Sequence, residues 1–506
     1  MREDFERVSP ESVGIPSSAI EKFIDALELG DFTEPHGLMI MRYGKICAEG
    51  WWYPYTAGKR HVDNSLTKTY AATAIGIAVR EGILSLDEKI LDIFSDVAPS
   101  NPSAYLQELC VHHVLSMSNG MERMPESDMN WIAEYLKTEI IHKPGTQFMY
   151  NTVGSNILAA IIQRKAGCQM TEYLTHRLFD KIGIDVANIK CKKLADGTQM
   201  GGGGLFTTTE DNLRLMKLYA DKGVCNGERI LDETFVTAAT TVQITTESVA
   251  EEHPECFDAI HGYGYQIWIN RDDISYRADG ALGQYSIVFP EYDMIIAINE
   301  SGKMNGLPTD GPHETLNHIY NILLPEIVDV ALPEDAKCYK KFKRKMQTLC
   351  LPVPPYCRNR KSEAHVHSKE FTTKKGAYTL LPEFKYFGDL QNITNGIEKI
   401  SFYFDNDQCE ILVKESGKDR RVTVGMDGTI VRNRYAIEGA EIDEVYINGF
   451  WRSDKEFVIQ TRWTENCQWQ EITFLFQDNQ VQIHKYFLSG SFMFNTEEYA
   501  TAFLNV

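Results

Sequence analysis

Hydrophobic and polar positions follow two different periods along this chain, and the change of period divides it. Up to about residue 330 the pattern is a mixture of helical spacing and short apolar runs; beyond about residue 370 the period becomes two. In the first part, Ser17 to Leu29 predicts an amphipathic helix. His36 to Trp52 predicts a hairpin turning at Tyr43-Gly44-Lys45. The small apolar run Thr73 to Arg80, stopped by Gly82, predicts a buried Ala-rich helix. A second helix is expected from Val111 to Met121, and a long apolar one from Gly154 to Lys165, ended by Gly167. Gly201 to Gly204 precede a helix capped by Thr208 or Thr209. Strands follow at Gly262 to Trp268, Ile274 to Tyr276, Tyr285 to Phe289 and Asp293 to Asn299, with a closing helix from His313 to Leu324.

Residues 337–361 differ in character. Lys340, Lys341, Lys343, Arg344 and Lys345 suggest a short basic helix, and Pro352-Val353-Pro354-Pro355 a stiff linker. Alternating segments then run from Lys399 to Phe404, Cys409 to Lys414, Arg421 to Val424, Glu444 to Trp451, Phe457 to Trp463, Gln470 to Phe476 and Gln480 to Phe487, separated by turn signals such as Asp427-Gly428. The expected organisation is a catalytic domain over 1–330, a basic, Pro-rich linker over 331–370 and an all-β barrel or sandwich over 371–506.

A net charge of −20 argues against nucleic acid and anionic membrane surfaces as partners. No run of about 18 apolar residues predicts a membrane span. The charged start, Met1 to Arg7, lacks the apolar region of a signal peptide, and the 11 cysteines include no C-x-x-C pair. Reduced thiols and a cytoplasmic location are therefore expected.

The candidate chemistry lies at Asn64-Ser65-Leu66-Thr67-Lys68. Ser65 is placed at the start of the Ala-rich helix, where the helix dipole favours an incipient alkoxide. Lys68, one turn later on the same face, can hold or move the hydroxyl proton. This S-x-x-K spacing occurs once in the chain, and by itself also fits a helix-capping serine beside a solvated lysine. The glycine run at 201–204 lacks the lysine and spacing of a phosphate loop, so close backbone packing is the expected role. In His313-Glu314-Thr315-Leu316-Asn317-His318 the second histidine sits at i+5, about 140° off the face a zinc helix needs. Neither a metal nor a cofactor is expected.

Taken together, the first 330 residues resemble the β-lactamase-related serine hydrolases: class C β-lactamases, D-alanyl-D-alanine peptidases, related esterases and aminohexanoate-oligomer hydrolases. The resemblance rests on Tyr43-Gly44-Lys45 with Glu49-Gly50, on Ser65 to Lys68 leading into Gly76 to Asp87, and on Val111 to Met121. It continues through Pro144 to Tyr150, then Gly280 to Tyr285 with Val288 to Glu291. It implies a central antiparallel sheet flanked by helices, an α+β fold, with a helical insertion over roughly 95–190. By resemblance, Ser65 is the nucleophile, Tyr150 or Lys68 the base, and the backbone N–H groups of Ser65 and Ala281 the oxyanion hole. Two positions depart from the family pattern. Tyr150-Asn151-Thr152 ends in Thr152, so the motif's polar partner is Thr152, or Asn151 with a shift. The third motif reads Ala278-Asp279-Gly280 where Lys or His usually stands at Ala278. With no cation at Ala278, and with Asp279 nearby, the expected substrates are neutral or cationic esters, amides or peptides. A β-lactamase or D-amino-acid peptidase, and a non-catalytic penicillin-binding-like sensor, are the competing readings. The β module could cover the site, pair two copies as a homodimer or bind a ligand; the sequence leaves all three open.

Overall fold

A computed structural model describes residues 4–30, 33–125, 129–247, 257–302, 312–354, 358–377, 379–381, 383–384, 390–391, 396–435, 442, 444–467, 469–487 and 498–504. Two compact units emerge. The first comprises Met1–Trp51, Ala57–Glu300 and Pro308–Leu349; the second comprises Trp52–Thr56, Ser301–Leu307 and Cys350–Val506.

The helices that matter in the first unit are α1 (Ser17–Leu29), α2 (Thr67–Arg80), α3 (Val111–Leu115), α4 (Trp131–Lys137), α5 (Thr152–Ala166), α6 (Thr209–Ala220) and α7 (Ala336–Gln347). Its sheet contains β1 (Thr33–Arg42), β2 (Lys45–Trp51), β3 (Trp268–Ile269), β4 (Tyr276–Gly280), β5 (Gln284–Phe289) and β6 (Met294–Gly302), in the order β2-β1-β6-β5-β4-β3. The pairings β1–β2, β5–β6, β4–β5 and β3–β4 are antiparallel. Every residue of β1 and β6 is buried, which requires cover on both faces. The predicted hairpin is present: Tyr43 and Gly44 both take positive φ at its turn. Helices α1 and α7 pack near β1 and β2, whereas α6 packs on β1 and β5. Thr208 caps α6 in a reciprocal box with Asp211.

The helix expected from Val111 to Met121 stops at Leu115. The Ser116 hydroxyl bonds the His112 carbonyl and Met117 turns left-handed at φ 54°, so the chain leaves the helix there. Part of the stretch expected as a linker is helical: α7 belongs to the first unit, where Lys341 Nζ lies 2.8 Å from Glu21 of α1 and Lys345 pairs with Asp25. Pro355 lies outside the described residues.

The second unit carries helix α8 (Arg360–Val366) and strands β7 (Glu370–Ala377), β8 (Ile397–Phe404), β9 (Gln408–Glu415), β10 (Lys418–Gly425), β11 (Val431–Arg434), β12 (Glu444–Trp451), β13 (Glu456–Arg462), β14 (Trp469–Gln477), β15 (Gln480–Phe487) and β16 (Glu498–Leu504). Their order is β10-β9-β8-β7-β16-β15-β14-β13-β12-β11, and a parallel bridge from Gly425 to Asn448 brings β10 back to β12. The all-β module is thus a nearly closed barrel, as the period of two implied. No helix among the described residues is long and apolar enough to cross a membrane.

Candidate active site

The chain approaches Ser65 through a turn that the surrounding backbone fixes. Asn64 is left-handed at φ 48°, a conformation that asparagine tolerates better than most residues. Ser65 therefore lies in a 3₁₀ turn, Asn64–Leu66, just ahead of α2. The Asn64 amide donates to the Ala281 carbonyl at 2.7 Å, tying this turn to the loop after β4. Gly280, at the end of β4, has no room for a side chain: a Cβ there would stand 2.1 Å from the Asp63 carbonyl oxygen.

Beneath the turn, Asp63 is fully buried. Its Oδ1 accepts from Thr207 Oγ1 and Asn212 Nδ2, each at 2.9 Å, and Tyr70 donates to Asn212 Oδ1 at 3.0 Å. Its Oδ2 has no partner among the described residues, and burial pushes the carboxyl well above the usual range.

Lys68, in the first turn of α2, is 1% exposed. Its Nζ lies 2.9 Å from Ser65 Oγ and 2.5 Å from the Gly202 carbonyl oxygen. Burial lowers its titration to about 7, against the opposing pull of the Asp279 carboxylate. Tyr150 precedes α5 and hydrogen-bonds the Ser65 hydroxyl; burial pushes its phenol well upward. Lys68 Nζ sits 4.9 Å from the centre of the Tyr150 ring, and Trp268 stacks on that ring at 5.9 Å. Ser65, Lys68 and Tyr150 therefore converge on one hydroxyl.

The remaining candidates divide. Thr152 opens α5 and touches the glycine run: a Cβ on Gly202 would lie 2.7 Å from Thr152 Cγ2. Asn151 is the α5 cap, its side chain accepting from the Gly154 N–H at 2.9 Å. Ala278 was expected to face the substrate but is 0% exposed in the apolar core. Asp279 lies on the other side of β4, paired at 2.8 Å with Arg277 on its own face. Arg277 in turn donates to Asn270 Oδ1 at 2.6 Å.

Two further residues shape the site without having been site candidates in the sequence. Gly202 holds Lys68 through its carbonyl, and its N–H donates to Asn156 Oδ1 at 2.9 Å, which places the glycine run against α5. Gln266, buried with φ 57°, accepts from Ser155 of α5 at 2.7 Å and donates to the Leu115 carbonyl of α3 at 2.7 Å. Its own carbonyl accepts from Thr69 of α2 at 3.0 Å, so one residue joins three helices around the site. The four consecutive glycines were the available clue to the first; nothing singled out the second. Elsewhere, Cys110, His112 and His113 bring metal-binding atom types within 4.8 Å of one another. The Nδ1 atoms there already bond the Leu86 carbonyl and the Cys110 N–H, and Lys89 Nζ lies 3.3 Å from the sulfur, a poor setting for a cation.

Comparison with known proteins gives the chain's relatives. The 6-aminohexanoate-dimer hydrolase of Paenarthrobacter ureafaciens is 23% identical over 285 residues, spanning 51% of this chain and 70% of that protein. An uncharacterized protein of Alkalihalophilus pseudofirmus is 21% identical over 259 residues, 48% of this chain and 74% of the other. A solved structure from Bacteroides dorei, named a "putative beta-lactamase", shares the fold with a TM-score of 0.51 at 15% identity, covering 61% of this chain and 99% of that one. The Beta-lactamase family model matches residues 36–315, more than half of the sequence, and the chain belongs to that family of hydrolases.

Proposed function

We propose that this protein is a serine hydrolase that cleaves an ester or amide through an acyl-enzyme on Ser65. The observation that carries the reading is the Lys68 Nζ 2.9 Å from Ser65 Oγ, on a lysine whose titration burial lowers to about 7. At neutral pH half of such amines are uncharged and can accept a proton. One Lys68 N–H remains bonded to the Gly202 oxygen, leaving the lone pair for the Ser65 hydroxyl.

Acylation then proceeds as follows. Ser65 Oγ attacks the carbonyl carbon as its proton passes to Lys68 Nζ. The carbonyl oxygen takes the negative charge and is received by the backbone N–H groups of Ser65 and Ala281, which the Asn64–Ala281 bond holds together. Tyr150, whose raised phenol stays protonated, gives its proton to the leaving oxygen or nitrogen as that bond breaks, and the Lys68 ammonium returns a proton to Tyr150. Water repeats the sequence to release the acid. Lys68 is thus the base and Tyr150 the acid, a division supported by the opposite directions of usefulness that burial gives an amine and a phenol.

Asp279 stands beside this machinery and, paired with Arg277 at 2.8 Å, offers no donor to a substrate carboxylate. The preferred substrates are therefore neutral or cationic esters and amides. A fluorophosphonate should label the protein once, and Ser65→Ala should abolish both labelling and nitrophenyl-ester turnover. Labelling of Ser65→Ala at equal stoichiometry refutes the assignment.

A further inference from the structure

The barrel unit holds a cavity lined by its own residues. Its interior is an aromatic stack: Phe402 and Phe474 have ring centres 5.0 Å apart, Phe404 and Phe457 5.2 Å, and Trp451 and Phe457 5.4 Å. This stack ends at a cavity of about 760 Å³ lined by Phe371, Trp451 and Phe476. Phe371 and Trp451 both lie against Phe476, at 5.9 and 5.8 Å, and Phe476 remains partly exposed. The Trp451 indole N–H has no acceptor among the described residues. A volume of this size is in the range of small-molecule sites, which favour the mouths of β-barrels.

The polar part of the lining includes three lysines. Lys361 of α8, Lys369 and Lys455 border the same cavity, with His365 beside them. Among the described residues none of the three lysines has a carboxylate partner. Asp454, which accepts from Asn359 Nδ2 at 2.6 Å, and Asp478 also border the cavity. In a chain with 71 acidic and 51 basic residues, a lining with three lysines and two aspartates around one aromatic cavity is locally more basic than the whole. An aromatic floor takes an apolar body, and a lysine rim takes an anionic head.

We propose that the barrel unit binds an amphipathic carboxylate, an apolar chain or ring ending in one anionic group, at this cavity. The chain seats on Phe371, Trp451 and Phe476, and the head group meets Lys361, Lys369 and Lys455. The site is separate from Ser65 in its residues and its chemistry, and its occupancy does not depend on turnover.

Calorimetry on the full chain with octanoate, octanol and octylammonium tests this. Octanoate should bind once per chain, and octanol and octylammonium at least about tenfold more weakly, because each exposed ion pair adds a few-fold and three act together. The combined exposed-site variant Lys361→Gln/Lys369→Gln/Lys455→Gln should lose at least about tenfold for octanoate and leave octanol unchanged. Fluorophosphonate-treated protein should bind octanoate as the untreated protein does. Undetectable octanoate binding at about 1 mM, equal binding of the three probes, or octanoate affinity unchanged by the triple lysine variant overturns the proposal. Loss of octanoate binding on fluorophosphonate treatment assigns the binding to the Ser65 site and overturns it equally.

Discussion

The acid limb of the pH–rate profile gives the sharpest check on the role of Lys68. A lysine titrating at its ordinary value is uncharged in only about one molecule in 2,500 at pH 7, whereas one titrating at about 7 is uncharged in about half. Burial therefore raises the usable amine by about a thousandfold. The sign follows from which form reacts: the free amine accepts the Ser65 proton, so the rate is full above the lysine's titration and lost below it. The rate constant for fluorophosphonate labelling, or kcat/KM for a neutral nitrophenyl ester, should level off above about pH 8 and fall about tenfold per unit below about pH 6. The Asp279 carboxylate favours the ammonium form of Lys68, so Asp279→Asn should move this limb to lower pH. The displacement should be smaller than that of an unshielded carboxylate, because Arg277 holds Asp279 at 2.8 Å. A limb above pH 9, or one that Asp279→Asn moves upward, refutes the assignment of Lys68 as the free-amine base.

Three further outcomes are expected. Tyr150→Phe should slow hydrolysis of an unactivated amide by at least about 100-fold, while a nitrophenyl ester, whose leaving group needs no proton, loses much less; equal losses in the two assays refute Tyr150 as the acid. Asp63→Asn should unfold near the wild-type temperature, since a raised carboxyl and an amide are close isosteres, whereas Asp63→Ala should cost about 1–3 kcal/mol by stranding Thr207 and Asn212; denaturant titration compares them. Short neutral esters should have a higher kcat/KM than a cephalosporin, whose carboxylate meets Asp279; the reverse order overturns the substrate reading.

The serine and lysine were legible because three residues make one helical turn, a spacing that holds whether Ser65 lies inside the helix or in the 3₁₀ turn ahead of it. Tyr150 was legible through family resemblance alone. The facing of β4 was not: Tyr276, Arg277, Ala278 and Gly280 are all buried, and a strand covered on both sides shows no alternation to say whether Ala278 or Asp279 meets the substrate. The basic helix α7 looked solvated because its acidic partners on α1 lie about 320 residues earlier. Strand β7 was missed for a related reason. Phe371-Thr372-Thr373-Lys374-Lys375 carries little apolar alternation, and its extended form comes from pairing with β8 and β16.

The bond from Lys68 to the Gly202 carbonyl bears on how this protein can change over evolutionary time. The acceptor belongs to the main chain, so no single codon change can delete it or replace it with another chemical group. Substitution at Gly202 is itself blocked, because an added Cβ meets both the side chain and the carbonyl of Thr152 at 2.7 Å. The lysine's environment is therefore insulated from drift on that side. Asp279 is different: it is the charged neighbour whose pull opposes burial at Lys68, and a single codon change can replace its side chain, so a lineage that alters the charge at this position also shifts the titration of Lys68.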